Sequence, residues 1–146
     1  MGAYSTKLEV RWSDLDPNSH VRPSVYYDWG AFCRMSFFTD AGLTLTVLTE
    51  NHIGPILFRE ECVFRKEILF GDTLSINLEL VNAKKDFSRW SIQHTLFRNE
   101  DVPAALITID GAWIDTVRRK LTIPPDIGLS VFESMPRSQS FKWINK

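Results

Sequence analysis

Residues 23–42 read PSVYYDWGAFCRMSFFTDAG, and this stretch decides the architecture around it. Proline is tolerated in the first turn of a helix and serine is a good N-cap, so a helix is expected to begin at Pro23 or Ser24. Gly42 supplies the stop. Apolar side chains cover most of the circumference, and only Asp28, Arg34 and Asp40 carry charge. A helix apolar nearly all round is buried on several sides. Gly30 in its middle costs about 1 kcal/mol of propensity, which suggests that another backbone approaches closely there.

The flanking sequence predicts the partner of that helix. Residues 7–12 alternate, with Lys7, Glu9 and Arg11 against Leu8, Val10 and Trp12. This is the pattern of a half-buried strand whose apolar side, Trp12 included, meets the core. Turn chemistry follows in Asp14, Asp16, Pro17, Asn18 and Ser19. After a short irregular or helical stretch at 43–52, strands are expected near 54–67, 73–83, 87–98 and 103–117. Turns fall at Gly71-Asp72, Asn82 to Asp86 and Asn99-Glu100-Asp101. A short helix is expected after Pro124-Pro125, through Phe132, and the tail from about 136 reads as frayed. Short connections imply antiparallel pairing. The order predicts an α+β fold: a curved antiparallel five-stranded sheet wrapped around one long helix, as a single domain over 1–146.

Composition narrows the function classes. A net charge of −1 gives no bulk attraction to nucleic acid. No apolar run reaches membrane-spanning length. The first ten residues are too polar for a signal peptide. Cys33 and Cys62 lack zinc or redox spacing and read as buried thiols of a cytoplasmic protein. The three histidines are far apart, so no metal site is expected.

The segment RWSDLDPNSHVRPSVYYDW, residues 11–29, resembles the motif of hotdog-fold thioesterases of the hydroxybenzoyl-CoA type, a family that includes acyl-CoA and acyl-ACP thioesterases. The pattern there is D-x-D-x-x-x-H-V-N-N-x-x-Y, and Asp14, Asp16, His20, Val21 and Tyr26 occupy its positions. RWSDLDPNSHV is also similar to plant acyl-ACP thioesterases, whose Asp-x-Asn-x-His run falls at Asp16, Asn18 and His20. Further on, FRKEILFGDTL, from Phe64 to Leu74, is similar to the family's third stretch.

The resemblance implies a hotdog fold, hydrolysis of an acyl-CoA or acyl-ACP thioester, no cofactor beyond the substrate's own CoA or phosphopantetheine, and a homodimer or homotetramer with sites between subunits. Asp16 is implied as general base or nucleophile. Elementary chemistry agrees: a carboxylate just before a helix can meet a carbonyl held over that helix's free N–H groups, where the macrodipole favours developing negative charge. Asn18 can orient the water or the carboxylate. His20 can polarise the carbonyl or hold the loop. Asp14 reads as structural, bonded to loop amides.

One departure bears on the chemistry. Where the family has two asparagines, this chain has Arg22 and Pro23. In the hydroxybenzoyl-CoA enzymes the residue at the Pro23 position donates its N–H to the thioester oxygen, and proline has no N–H. Either Ser24 or Val25 supplies the donor or the oxyanion hole is weakened; one such donor contributes about 3 kcal/mol. Tyr26 joins them as a substrate-binding candidate. The assisting glutamate is Glu67 or Glu61, depending on how the plant pattern is matched. Glu60 shares a strand face with Ile56, Phe58, Cys62 and Phe64 by simple alternation; such an acid is either paired, with Arg34 or with a second subunit, or functional, and pairing is the favoured reading. Lys84 and Lys85 resemble the turn with which relatives hold CoA phosphates. Two other readings stay open: a non-catalytic acyl-thioester binding protein, and a hotdog dehydratase or hydratase.

Overall fold

The computed structural model describes residues 3–144. The chain runs β1 (Ser5–Leu8), α1 (Pro23–Asp40), α2 (Leu45–Glu50), β2 (Ile53–Phe64), β3 (Leu74–Asn77), β4 (Glu79–Ala83), β5 (Arg89–Arg98), β6 (Val102–Asp115), β7 (Lys120–Thr122), α3 (Asp126–Ser134) and β8 (Arg137–Trp143). The predicted long helix begins at Pro23 itself. It ends where Gly42, at φ 96°, turns the chain and the Leu43 amide donates back to Phe38 O at 2.8 Å.

The sheet has eight strands rather than the expected five. β2, β6 and β5 lie side by side and antiparallel. β3 and β4 follow one another along the far side of β5; the expected strand at 73–83 is thus two pieces, broken at Leu78. β1 pairs with β3, β7 with the end of β6, and β8 runs parallel to β4. The expected frayed tail is therefore a correction. Residues 137–143 gain a strand partner, and Arg137 lies over the rings of Phe141 and Trp143 at 4.9 and 5.0 Å. That aromatic packing offsets the entropy of ordering the tail.

α1 lies in the concave side of the sheet. Val25, Tyr26, Trp29, Gly30, Cys33, Arg34, Phe37 and Phe38 form its buried stripe. Each large apolar side chain there contributes roughly 2 kcal/mol on burial. Expected burial on several sides is corrected to one face: Ala31 is exposed and Phe32 is 50% exposed. Gly30 admits side chains, not another backbone. A Cβ there would stand 3.3 Å from Arg34 Nη1 and 3.4 Å from His94 Cδ2.

A bulge at Phe58 changes the faces of β2. Leu57 opposes Gly111 and Arg59 opposes Asp110, so Phe58 has no partner of its own. Glu60 consequently shares its face with Cys62 and Phe64 and, across the bulge, with Leu57 and Pro55, not with Ile56 and Phe58. Trp12 is the other correction. It sits in a 3-10 turn (Trp12–Asp14) beyond the end of β1 and is 77% exposed.

Among the glycines, Gly111 has the tightest surroundings. A Cβ there would lie 2.4 Å from the Trp90 ring and 2.7 Å from Ile56 O. Gly111→Ala is expected to destabilise the fold by about 1–3 kcal/mol through overpacking, read as a lower urea midpoint at unchanged m-value; an unchanged midpoint would contradict this packing.

Candidate active site

The loop before α1 is built by its own backbone. Leu15 and Val21 form an antiparallel bridge. Within it the Asp16 amide donates to His20 O at 2.7 Å. The Asp16 carboxylate accepts through Oδ1 from the amides of Asn18 (2.9 Å) and His20 (3.0 Å). These bonds fix the carboxylate's direction, and Oδ2 has no partner among the described residues. Asp14 anchors the loop from beneath. It is buried and takes the Arg11 amide at 2.8 Å and the Arg11 guanidinium at 2.9 Å. Burial alone pushes its carboxyl upward, but the Arg11 hydrogen bonds outweigh this and hold it below the usual range. The Arg22 amide donates to Asp14 O at 2.8 Å, and its guanidinium to Ser13 O at 3.0 Å. The structural role expected of Asp14 is what the geometry gives it.

A cleft of about 360 Å³ opens beside this loop. Asp16, His20, Val21, Pro23 and Tyr26 line one side; Phe64, Arg65, Lys66, Glu67 and Ile68, at and beyond the end of β2, line the other. His20 Nε2 stands 3.4 Å from Glu67 Oε1. Of the two candidate glutamates, Glu67 thus meets the loop, while Glu61 is on the exposed strand surface with Arg59 at 2.9 Å. The Tyr26 and Phe64 rings meet edge to face, with centroids 4.8 Å apart. Burial, and next the nearby Cys62, pushes the Tyr26 phenol up to about 12, so it stays protonated and able to donate.

Pro23 occupies the first helical position. The Val25 amide is already given to Arg22 O at 3.0 Å. The Ser24 amide has no acceptor among the described residues, which makes it a free donor of the first turn. Asn18 is exposed and meets Asp16 through its backbone alone. Lys84 and Lys85 are not brought to the cleft. They occupy the turn at the Arg89 end of β5, while Arg98, at its other end, donates to Glu67 O at 2.8 Å. Nine residues of strand separate the two ends by roughly 30 Å. Phosphate contact from that turn would require another subunit. Arg65 and Lys66 are the cleft cations that motif matching did not single out, although both lie inside the quoted FRKEILFGDTL stretch.

Behind the cleft wall lies a buried polar pair. His94 Nδ1 donates to Asn77 O at 2.8 Å, and its Nε2 accepts from Arg34 Nη1 at 3.1 Å. Glu60 stands 4.0 Å from Arg34, the pairing its position suggested. Cys33 and Cys62 are free thiols, Cys33 buried and Cys62 half-buried. No helix among the described residues is long and apolar enough to cross a membrane. Nor does any group of three His, Cys, Asp or Glu among them suit a metal ion.

Burial, then the Arg34 charge, depresses His94 from 6.5 to about 3. Between those values the unfolded chain binds a proton that the folded chain refuses. This residue therefore removes about 1.4 kcal/mol of stability per pH unit as pH falls through that window. His94→Gln is expected to flatten the pH dependence of the urea midpoint between pH 6 and 4 by about one proton; a slope equal to wild type would contradict the neutral buried imidazole.

Comparison with solved structures gives the same fold. A Staphylococcus aureus protein solved in complex with CoA superposes with a TM-score of 0.85 at 16% identity, over 99% of this chain and 90% of its own. A 1,4-dihydroxy-2-naphthoyl-CoA thioesterase from Synechocystis gives 0.81 at 17% identity, over 91% of this chain and 97% of its own. A gentisyl-coenzyme A thioesterase gives 0.75 at 20% identity, over 90% and 100%. No curated protein sequence matches the chain significantly. Residues 10–130 match the family model of the thioesterase-like superfamily, a span that takes in the loop, α1 and both walls of the cleft, and the chain belongs to that superfamily.

Proposed function

We propose that the protein hydrolyses an acyl-CoA thioester, with Asp16 as the group that delivers the attack. The observation that carries this reading is the meeting of Asp16, His20 and Glu67 across one cleft at the N-terminus of α1. A thioester carbonyl seated there would have its oxygen toward the Ser24 amide and the positive end of the helix. Asp16 then either takes a proton from water, whose oxygen attacks the carbonyl carbon, or attacks that carbon itself, with water cleaving the resulting anhydride. In both cases the tetrahedral intermediate collapses by breaking the C–S bond. The thiolate leaves without needing a strong acid, and His20, held by Glu67, is close enough to protonate it. Tyr26, Phe64, Val21 and Ile68 provide apolar surface for the acyl group.

Family membership and the CoA named for three structural neighbours support CoA as the carrier. Acyl-ACP would be recognised by the same cleft chemistry and is the alternative carrier. We propose in addition that the protein is a dimer, a reading the unpaired edge of β2 supports. The edge of β2 away from β6 has no strand partner among the described residues, and the 50% exposed Phe58 and Phe32 lie on β2 and on α1. Pairing that edge with a second copy would cover these rings and close the open side of the cleft.

One observation favours the non-catalytic alternative. Pro23 removes an amide and Val25's is engaged, leaving Ser24's as a backbone donor with no acceptor among the described residues. A thiol-release assay over acyl-CoA and acyl-ACP chain lengths separates the readings. Wild type is expected to turn over at least one thioester, and Asp16→Asn to lose about 100-fold or more in kcat. Saturable acyl-CoA binding with no thiol released, or an Asp16→Asn variant as fast as wild type, would contradict the proposal.

A further inference from the structure

Two turns flank the cleft, and each presents one aromatic ring to solvent. Trp12 is held in a 3-10 turn pinned by Arg11 and Asp14, where the Asp14 amide donates to Arg11 O at 2.8 Å and the Arg11 amide to Asp14 Oδ2 at 2.8 Å. Phe70 lies in a turn closed by the Asp72 amide on Leu69 O at 3.1 Å and the Leu69 amide on Asp72 Oδ2 at 2.9 Å; Gly71, at φ 97°, provides the left-handed position. The rings meet edge to face at 5.8 Å and 85°. Trp12 is 77% and Phe70 57% exposed. These exposed aromatics keep surface that water solvates poorly, and turn geometry rather than core packing holds them there.

Their place relative to the cleft is close. Trp12 precedes Asp16 by four residues and Phe70 follows Glu67 by three, so each ring's backbone is at most about 14 Å from a cleft residue. Arg65 and Lys66 line the cleft, and Arg22 stands on the loop beside it. None of these three cations is paired with a carboxylate among the described residues. An exposed indole with the Phe70 ring set edge-on to it, beside cations that no carboxylate pairs among the described residues and within reach of a bound thioester, matches a base joined to phosphates. The two rings are too small a patch for a stable protein partner, which takes about 800 Å² from each side.

We propose that Trp12 and Phe70 form a stacking platform for the adenine of a CoA-borne substrate, with Arg65, Lys66 and Arg22 attracting its phosphates. The proposal rests on the hydrolase reading above and adds to it the selection of CoA over shorter carriers of the same acyl group. An extended CoA arm is longer than the separation from cleft to rings, so the nucleotide folds back over the lip formed by residues 65–70.

The test compares one acyl group carried on CoA and on pantetheine, which lacks the nucleotide. Wild type is expected to favour the CoA ester in kcat/KM. Trp12→Ala and Phe70→Ala are each expected to reduce the CoA-to-pantetheine ratio by about fivefold or more, the size of a lost base–aromatic stack. An unchanged ratio overturns the platform, as does an equal loss on both esters or a change in association state that accounts for the loss. Binding of adenosine 3′,5′-bisphosphate by calorimetry needs no turnover. If neither ester is hydrolysed, the hydrolase reading fails on its own, and the platform stands only if this nucleotide binds wild type and binds Trp12→Ala at least about fivefold more weakly.

Discussion

The contact of α1's first turns with the end of β2 is the constraint on which the rest depends. Tyr26 packs against Phe64, and by that contact the loop carrying Asp16 and His20 comes to lie opposite residues 65–68. The contact is possible because α1's buried stripe holds the helix in the concavity of the sheet. Asp16, His20 and Glu67, the groups proposed to react, belong to segments just outside regular elements. The elements provide rigidity and the segments between them provide chemistry, as is usual for sites on rigid scaffolds.

The polar interior serves the same placement. Arg34 and His94 join α1 to β5, and Glu60 extends the link to β2, the strand that ends in the cleft wall. A buried arginine facing a neutral imidazole is costly to separate, because either partner alone would keep unsatisfied donors or acceptors. It ties the helix to the strands in one register, which apolar packing alone specifies less sharply. Gly30 is what lets both side chains come so close to the helix backbone.

Much of this was legible in residues, and the rest had physical reasons to be hidden. Pro23, Gly42 and the apolar run between them announced α1, since local conformational preference and burial agree there. Asp16 and His20 were nominated by the short motif, while the later FRKE stretch left Glu67 and Glu61 open; the cleft is lined by Asp16, His20 and Glu67. What could not be read were consequences of tertiary pairing. The Phe58 bulge inverts the faces of β2 with no Gly or Pro at Phe58 or beside it in the chain. β8 forms because Arg137, Phe141 and Trp143 pack on one another beside β4, although the local sequence is polar. Trp12 continues a perfect alternation, yet β1 ends at Leu8, and the Arg11–Asp14 interaction holds Trp12 in a turn beyond it. Lys84 and Lys85 look like phosphate ligands locally, while strand length carries them to the far end of the sheet.

The central claim is geometric and can be observed directly. A crystal structure with a non-hydrolysable acyl-CoA analogue, its thioester sulfur replaced by methylene, should place the carbonyl oxygen within about 3 Å of the Ser24 amide. The carbonyl carbon should lie within about 3.5 Å of an Asp16 oxygen or of a water that Asp16 holds. A carbonyl bound away from the first turn of α1, or an Asp16 carboxylate directed away from it with the analogue in place, would contradict the account.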